Sequence, residues 1–472
     1  MIASRIRFNS QRLLVAAVTA LLGSVAAADD FRDALAQAYR LNPAMTVAQS
    51  QLSAGDENVA IALAAMRPNV LSVASYGAAV FDDWEWSNTS QRYSPGNQGT
   101  PNVFRYNDQR IGYLDGQQTL YSSGGLEAQV RGSQAQVQSL RGSLKQTEQQ
   151  VLLSASGAYL DLWLARQKLN VIRETEADLK RQLANNRLQF ARKDITVTDL
   201  GQTESRVAQA EANRVDAENA VQAAEVSYRV VIGVMPSPTE QQALPEIPGV
   251  PARLEDALAK GGVDNPTIAA AIGSRDAAVA SIAVQQAGAL PNVSVEYQGL
   301  FATGSSSQSI LLEQEAVLGW LNVPLYVGGA VGAKVRAARN EAAAAQSGID
   351  EAQRNVVQST VEAWYKLLAA GESLASSKEG VEASGVALRG VLIGRDHGYR
   401  TVLDVLNARG ELEQARITVA QAEHDRILAQ LQLLAAAGSL NVASLAVPVT
   451  PYDPQPHYER VTKRWSDWAA EP

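Results

Sequence analysis

The 472-residue chain contains no cysteine. That excludes disulfide staples, thiolate metal sites and a lipid carried on an N-terminal cysteine. Its only histidines are His397, His424 and His457, and none has metal-ligand spacing. They read as surface residues, with His397 placed to titrate near neutral pH. No phosphate-binding glycine loop or nucleophile elbow occurs, so no cofactor, metal or catalytic site is expected. Aromatics make up 6%, little for a chain that must fill compact cores. Positive charge is short as well. The formal net charge is −8, the wrong sign for nucleic-acid binding. Long apolar runs are also missing after the N-terminal segment. The most apolar stretch, 431–449, is interrupted by Gln432, Ser439, Asn441 and Ser444 and does not read as a transmembrane helix. Such a chain can span a membrane only with strands that close into a barrel.

What is present begins with an export signal. Arg5, Arg7 and Arg12 precede an apolar run, and Ala26-Ala27-Ala28 offers a small-residue cleavage site, so residues 1–28 read as a signal peptide. The run is too short for a membrane anchor. Removing the segment takes away three arginines and no acid, moving the formal charge from −8 to −11.

The rest of the chain is written twice. Asp33-Ala34-Leu35-Ala36 recurs as Asp256-Ala257-Leu258-Ala259, Asn42-Pro43 as Asn265-Pro266, and Pro68-Asn69-Val70 as Pro291-Asn292-Val293, all 223 residues apart. A second offset of 205 then relates Leu120-Tyr121 to Leu325-Tyr326 and Val130-Arg131 to Val335-Arg336. It also relates Thr196-x-x-Asp199 to Thr401-x-x-Asp404. Two constant offsets held over most of a chain mark an internal repeat. The change of 18 residues falls in the polar run 82–109, which reads as an outer loop of variable length. The boundaries that follow are repeat 1 over 29–233, a linker over 234–253, repeat 2 over 254–440 and a tail over 441–472. The tail is expected to pack outside the helices or to stay partly mobile.

Each repeat has the same internal order. A short helix stops at Asn-Pro, where Asn caps and Pro takes the first helical position. A helix of about two dozen residues then runs to Pro68 or Pro291. Two strands follow. Val293, Val295, Tyr297 and Phe301 alternate with polar residues, and 111–121 and 316–326 close the pairs. Beyond Gly125 comes a proline-free stretch to Asp194 with apolar residues every seven positions: Val130, Val137, Leu144, Val151, Ala158, Ala165, Ile172 and Leu179. That period specifies a coiled-coil seam along a helix of roughly 100 Å at 1.5 Å per residue. A returning helix of about 35 residues opens at each Thr-x-x-Asp. It covers half of the long helix, and the helix before the strands, stacked on its end, covers the remainder.

One chain offers four strands, and four cannot close a transmembrane barrel. Copies must therefore assemble as a closed ring. Counting alone asks for eight strands or more and does not single out three chains.

The tips carry the family resemblance. Gly398-Tyr399-Arg400-Thr401-Val402-Leu403-Asp404-Val405-Leu406-Asn407-Ala408 resembles the second hairpin tip of the TolC family of outer-membrane channel proteins. Asp194-Ile195-Thr196-Val197-Thr198-Asp199-Leu200 resembles the first. The duplication, the Asn-Pro starts and the Leu-Tyr strand ends agree over nearly the whole mature chain. The tail from Tyr452 through His457 to Trp465 resembles the branch serving type I secretion. The resemblance implies a mainly α fold with membrane β: a homotrimeric 12-stranded β-barrel, four strands per chain, continued by a long α-helical coiled-coil tunnel through the periplasm. It implies an outer-membrane channel, embedded in lipid, that meets a periplasmic adaptor and an inner-membrane ABC or RND transporter. Substrates pass through it unaltered. By the same resemblance Thr198, Asp199, Arg400, Asp404 and Asn407 form the periplasmic constriction. Ile195, Thr196, Val197, Leu200, Gly398, Tyr399, Thr401 and Leu403 are the adaptor-contacting tip residues. Two positions depart from the pattern: Arg395 stands where a Tyr often latches the gate, and Asn407 replaces an acid.

Simpler readings stand beside these. Asp199 and Asp404 also fit as capping-box acids, and Arg400 as a solvated tip charge. Trp84, Trp86, Tyr113, Tyr121, Trp320 and Tyr326 suit interfacial belts or barrel packing. Two rival functions remain: an exported coiled-coil scaffold without a pore, and a periplasmic adaptor. An adaptor carries one hairpin within a lipoyl-like β domain, which two hairpins and four alternating strands oppose.

Overall fold

The computed structural model describes residues 31–82, 104–236, 244–303 and 311–465. The signal segment, Trp84, Trp86 and part of the linker lie outside them. The first repeat folds as α1 (Phe31–Leu41), α2 (Pro43–Ala64), β1 (Asn69–Asp82), β2 (Phe104–Tyr121), α3 (Gly125–Ala191) and α4 (Val197–Ile232). The second folds as α5 (Leu254–Asp264), α6 (Pro266–Ala287), β3 (Asn292–Thr303), β4 (Leu312–Asn322), α7 (Ala330–Asp396) and α8 (Val402–Ala436). A last helix, α9 (Gln455–Lys463), lies in the tail. α1 and α5 are both 11 residues long, α2 and α6 both 22, and α3 and α7 both 67.

Most of the seven-residue seam is inside, with Val130, Ala165 and Ile172 half-buried. Val137, Leu144, Val151, Ala158 and Leu179 are buried on α3, as are Ala342, Ile349, Val356 and Ala363 on α7. The Asn-Pro signal does two jobs at once. Asn42 Oδ1 accepts from Ala44 N–H at 2.9 Å, and its Nδ2 donates to Val231 O at the end of α4 at 3.4 Å. Asn265 repeats this with Thr267 N–H and Ala436 O, both at 2.9 Å. Each carboxamide thus joins the end of a returning helix to the start of the next one. This is the end-to-end stacking expected from the lengths.

One segment, Leu254–Ala287, does reach the length and hydropathy of a spanning helix. This corrects the expectation that no such stretch follows the signal. It is two helices, α5 and α6, separated by an extended Asn265.

The chain divides into two compact units. The first gathers the chain up to Gln49 with Ser143–Ile268 and Ala352–Tyr452, and it holds both tips. The second gathers Ser50–Gly142, Ala269–Glu351 and the chain from Asp453, and it holds the strands. The strands form one antiparallel sheet in the order β1-β2-β3-β4, so β1 and β4 are its edges. The ladder runs on to Asp82↔Phe104, which makes 104–109 strand rather than loop. β4 occupies 312–322 rather than 316–326. Pro324 has no N–H to continue the ladder.

Register assigns the two faces. Row Val70–Gly116–Tyr297–Val317 is uncharged, and the next row on the opposite face is Leu71–Asp115–Gln298–Ala316. Gln117 and Glu296 pair on that second face, directly beside Asp115 and Gln298. In the rows nearest Asn69 charge sits only on the face with Asp115 and Glu296, which turns that end of it from lipid, while Arg110, Glu313 and Glu315 stand on the other face farther along the ladder. Tyr113 and Trp320 share the face of Asp115, to which Tyr113 donates at 3.2 Å.

The tail is folded through Trp465 and packs on the helices, the first of the two alternatives expected for it. In the first unit, Leu440, Val442, Leu445 and Val447 are buried, Glu148 accepts from Val442 N–H at 3.0 Å, and Tyr39 accepts from Tyr452 N–H at 3.0 Å. Burial, the larger effect, raises the Glu148 carboxyl above its ordinary value against the Val442 bond that lowers it. In the second unit, His457 meets buried Asp56 at 2.9 Å, and Arg67 donates to Arg464 O at 2.6 Å beneath the Trp465 ring. The tail holds by polar and aromatic contacts that its proline-rich sequence did not reveal.

Candidate functional site at the hairpin tips

The two tips are built alike. In the first, Lys193 takes a left-handed φ of 64°, and Asp194 N–H closes the turn onto Gln189 O at 2.9 Å. In the second, Gly398 holds φ 77° and Tyr399 N–H reaches Gly394 O at 2.8 Å. Glycine occupies that conformation freely and lysine does not. The same turn is therefore looser in intrinsic preference at the first tip, a feature the sequence comparison overlooked.

Both Thr-x-x-Asp motifs form complete capping boxes. Asp199 Oδ2 accepts from Thr196 N–H at 3.0 Å while Asp199 N–H donates to Thr196 Oγ1 at 3.1 Å. Asp404 and Thr401 repeat this at 2.8 and 3.1 Å. The Thr401 bonds, backbone first and then hydroxyl, lower the Asp404 carboxyl below its ordinary value, and the nearby Arg400 charge adds to the effect. Asp404 is therefore charged at neutral pH.

The remaining residues named from sequence fall around these turns. Val197, Tyr399 and Leu403 are exposed apolar side chains, and Thr198, Arg400 and Asn407 are exposed polar ones. Ile195 and Leu200 are half-buried, whereas Val402, Val405 and Leu406 pack inward. Asn407 Oδ1 accepts from Arg206 on α4 at 3.1 Å. Within one chain, no hydrogen bond or ion pair among the described residues joins Arg400 to Thr198 or Asp199.

The tips are seated by a seam between α3 and α8. Asp178 meets Arg409 at 2.8 Å, Glu174 meets Arg416 at 3.2 Å, Lys168 donates to Gln421 at 3.0 Å, and Asp161 meets His424 at 2.9 Å. Leu179, Val207, Ala210, Val402 and Leu406 pack together beneath the tips. His424 is buried, not a surface residue, because Asp161 on α3 and Asp425 beside it each hold one ring nitrogen.

Burial, the largest single effect, lowers the His424 pKa, but the two Asp hydrogen bonds and charges together raise it above the ordinary value. A raised folded value means this rung stabilises fully below the unfolded histidine value of about 6.5 and is lost as pH rises through the folded one. Wild-type protein is expected to lose melting temperature relative to His424→Gln as pH rises above the unfolded histidine value of about 6.5. Parallel thermal melts of the two proteins measure the difference, and curves that keep a constant gap count against the rung.

Residues 262–439 match the outer membrane efflux protein family. The chain is 30% identical over 472 residues to the outer membrane efflux protein BepC of Brucella suis, covering 97% of each. The chain belongs to the outer membrane efflux protein family. It is also similar to the proteases secretion protein PrtF of Dickeya chrysanthemi, 26% identical over 458 residues, covering 91% of this chain and 92% of that one. Its fold is shared with the CmeC outer membrane channel of Campylobacter jejuni, with a TM-score of 0.73 at 14% identity, covering 92% of this chain and 89% of that chain. As a member of the outer membrane efflux protein family, the chain is the subunit of an outer-membrane efflux or secretion channel. Its strands lie in the membrane and its helices in the periplasm. The scaffold and adaptor readings give way to this one.

Proposed function

We propose that three copies form the channel, each supplying four strands to a 12-stranded barrel and two hairpins to the periplasmic tunnel. The observation that carries this is the open sheet. β1 and β4 are edges, and in a bilayer unpaired edge groups must find partners on a neighbouring chain. Substrates pass through with no bond made or broken. The exposed Val197, Tyr399 and Leu403 at the capped tips suit docking of a periplasmic adaptor, which connects the tunnel to an inner-membrane ABC or RND transporter. Similarity to a proteases secretion protein over most of both chains favours a type I secretion role.

The tips are the periplasmic gate in this reading. Three Asp404 carboxylates converge toward the axis and attract cations. Arg400, which makes no hydrogen bond or ion pair among the described residues of its own chain, pairs with the neighbouring chain's Thr198 and Asp199 to hold the constriction closed. Arg400→Ser is expected to raise single-channel conductance in planar bilayers several-fold. Conductance no greater than that of wild type would show that Arg400 does not hold the gate.

A further inference from the structure

Four ion pairs join the two helices of the first hairpin at a constant spacing. Arg166 on α3 meets Glu225 on α4 at 3.1 Å, and Arg173 meets Glu218 at 2.8 Å. Lys180 meets Glu211 at 2.8 Å, and Arg187 meets Glu204 at 2.9 Å. Each step is seven residues up one helix and seven down the other, with every cation on α3 and every acid on α4. Glu176 ties the middle rungs together, meeting Lys180 at 2.7 Å and Arg214 at 3.0 Å, while Arg214 also meets Glu218 at 2.7 Å. Toward α8 the same helix shows the opposite sign. Asp161, Glu174 and Asp178 meet His424, Arg416 and Arg409 there, and Lys168 among them donates to the neutral Gln421. One flank of α3 is basic and the other is predominantly acidic.

The duplication makes the choice between these flanks necessary. α4 and α8 are repeat copies 205 residues apart, and their apolar seams are alike. Burial of a seam therefore does not say which flank of α3 each helix takes. Charge does. At the four rung positions α4 carries Glu204, Glu211, Glu218 and Glu225, where α8 carries Arg409, Arg416, Glu423 and Gln430. By the repeat, α8 on the basic flank would set Arg409 against Arg187 and Arg416 against Lys180. α4 on the acidic flank would set Glu204 against Asp178 and Glu211 against Glu174. Like charges brought together suppress the wrong partner as opposite charges favour the right one. α7 offers α4 little in exchange. Opposite the four glutamates it would place Gly371, Lys378, Gly385 and Leu392, and among the described residues its own hairpin keeps the Lys378–Glu423 rung, at 3.6 Å.

We propose that the two charged flanks of α3 are a pairing code that assigns α4 to one side and α8 to the other, and so fixes the order of helices around the tunnel. Exposed ion pairs contribute little one by one. A run of them in one register sets partner choice, as the charges flanking a coiled-coil seam do. The pairs lie within one chain, and their consequence for helix order rests on the reading that copies close into a ring.

Glu204→Arg combined with Glu211→Arg gives α4 the charges of α8 at two rungs. In full-length protein this is expected to lower the yield of heat-modifiable oligomer in the outer membrane about tenfold. Adding Arg187→Glu and Lys180→Glu restores opposite charges at both rungs. The yield should then return to within about threefold of wild type, the shortfall being the Lys180–Glu176 pair that is also removed. Glu204→Gln with Glu211→Gln, which takes away attraction without adding repulsion, should lose only about threefold and supplies oligomer for thermal melts. Its deficit in melting temperature should shrink at about 1 M salt, where charges are screened beyond about 3 Å.

Wild-type yield in both α4 variants would overturn the code and leave the channel reading standing. A loss that the α3 changes do not relieve, or a melting deficit that salt leaves unchanged, would also overturn it, since the effect would then be local to α4. Loss and recovery as expected, in an oligomer that does not contain three chains, would support the code and remove the trimer.

Discussion

Gly273→Val is expected to destabilise the assembled protein by about 3 kcal/mol, at the upper end of what overpacking costs. Gly273 on α6 faces the backbone of α3. A Cβ there would lie 2.4 Å from Ser139 N, 2.8 Å from Ser139 Cα and 2.9 Å from Ala135 O. These are main-chain atoms in the middle of a long helix, so no rotamer change relieves the clash and the helices must separate. One turn away the roles reverse: a Cβ on Gly142 would meet Ala270 N at 2.7 Å. Beside the first contact Ser139 and Ser274 share a hydrogen bond at 2.9 Å, which any separation also breaks. Alanine at position 273 gains about 1 kcal/mol of helix propensity over glycine and is still expected to lose stability on balance. Gly157→Ala is the control, because nothing lies within 4 Å of a Cβ there and only the propensity gain remains. Thermal melts of the oligomer separate the cases. Equal melting temperatures for Gly273→Val and Gly157→Ala would mean that α3 and α6 do not approach so closely.

Val317→Arg is expected to cost about 2–4 kcal/mol per chain, the value for a cation set at mid-bilayer on a barrel's lipid face. Val317 is 71% exposed at the middle of β4, in the uncharged row with Val70, Gly116 and Tyr297, and Glu315 two residues away is the nearest charge on the same face of that strand. Gln298→Arg, one row away on the face that already holds Asp115 and Glu296, is expected to change stability little. The pair reads out which side of the sheet meets lipid, independent of any assumption about strand number. Yield of folded, heat-modifiable protein in the outer membrane measures it. A greater loss for Gln298→Arg than for Val317→Arg would reverse the assignment of the two faces.

The fold was legible in the sequence to the extent that it is repetitive. Two offsets place every helix of the second copy from the first, since a duplicated chain repeats its caps, breakers and seam. The Asn-Pro starts were visible because asparagine and proline act locally. The tips were visible for the same reason: Thr-x-x-Asp closes on itself within one turn. What sequence left hidden depends on partners far along the chain. Gln182 and Asn186 are four residues apart on a helix, the spacing of any solvated face. Only α7 and α4 closing over them make them buried. His424 looked like a surface residue until α3 supplied Asp161. The upper part of β2 read as loop because its residues 104–109 are mostly polar, yet β1 pairs with them to Phe104. Arg395 departs from the family pattern in the sequence, but its bond to Gln182 on α3 is visible only once the two helices are side by side.

The chain's lack of cysteine makes the most direct measurement a clean one. A cysteine at Ser72 on β1, combined in turn with cysteines along β4 at Val317, Gly319 and Leu321, can bridge only strands whose Cα atoms come within about 4.4–6.8 Å. Within one chain β1 and β4 are separated by β2 and β3, so a disulfide must join neighbours. A closed ring of three chains is expected to give, in one register, covalent dimers and then trimers on denaturing gels, with no larger species. Cross-linking that stops at dimers, continues past three chains, or fails in every register would contradict the trimeric barrel.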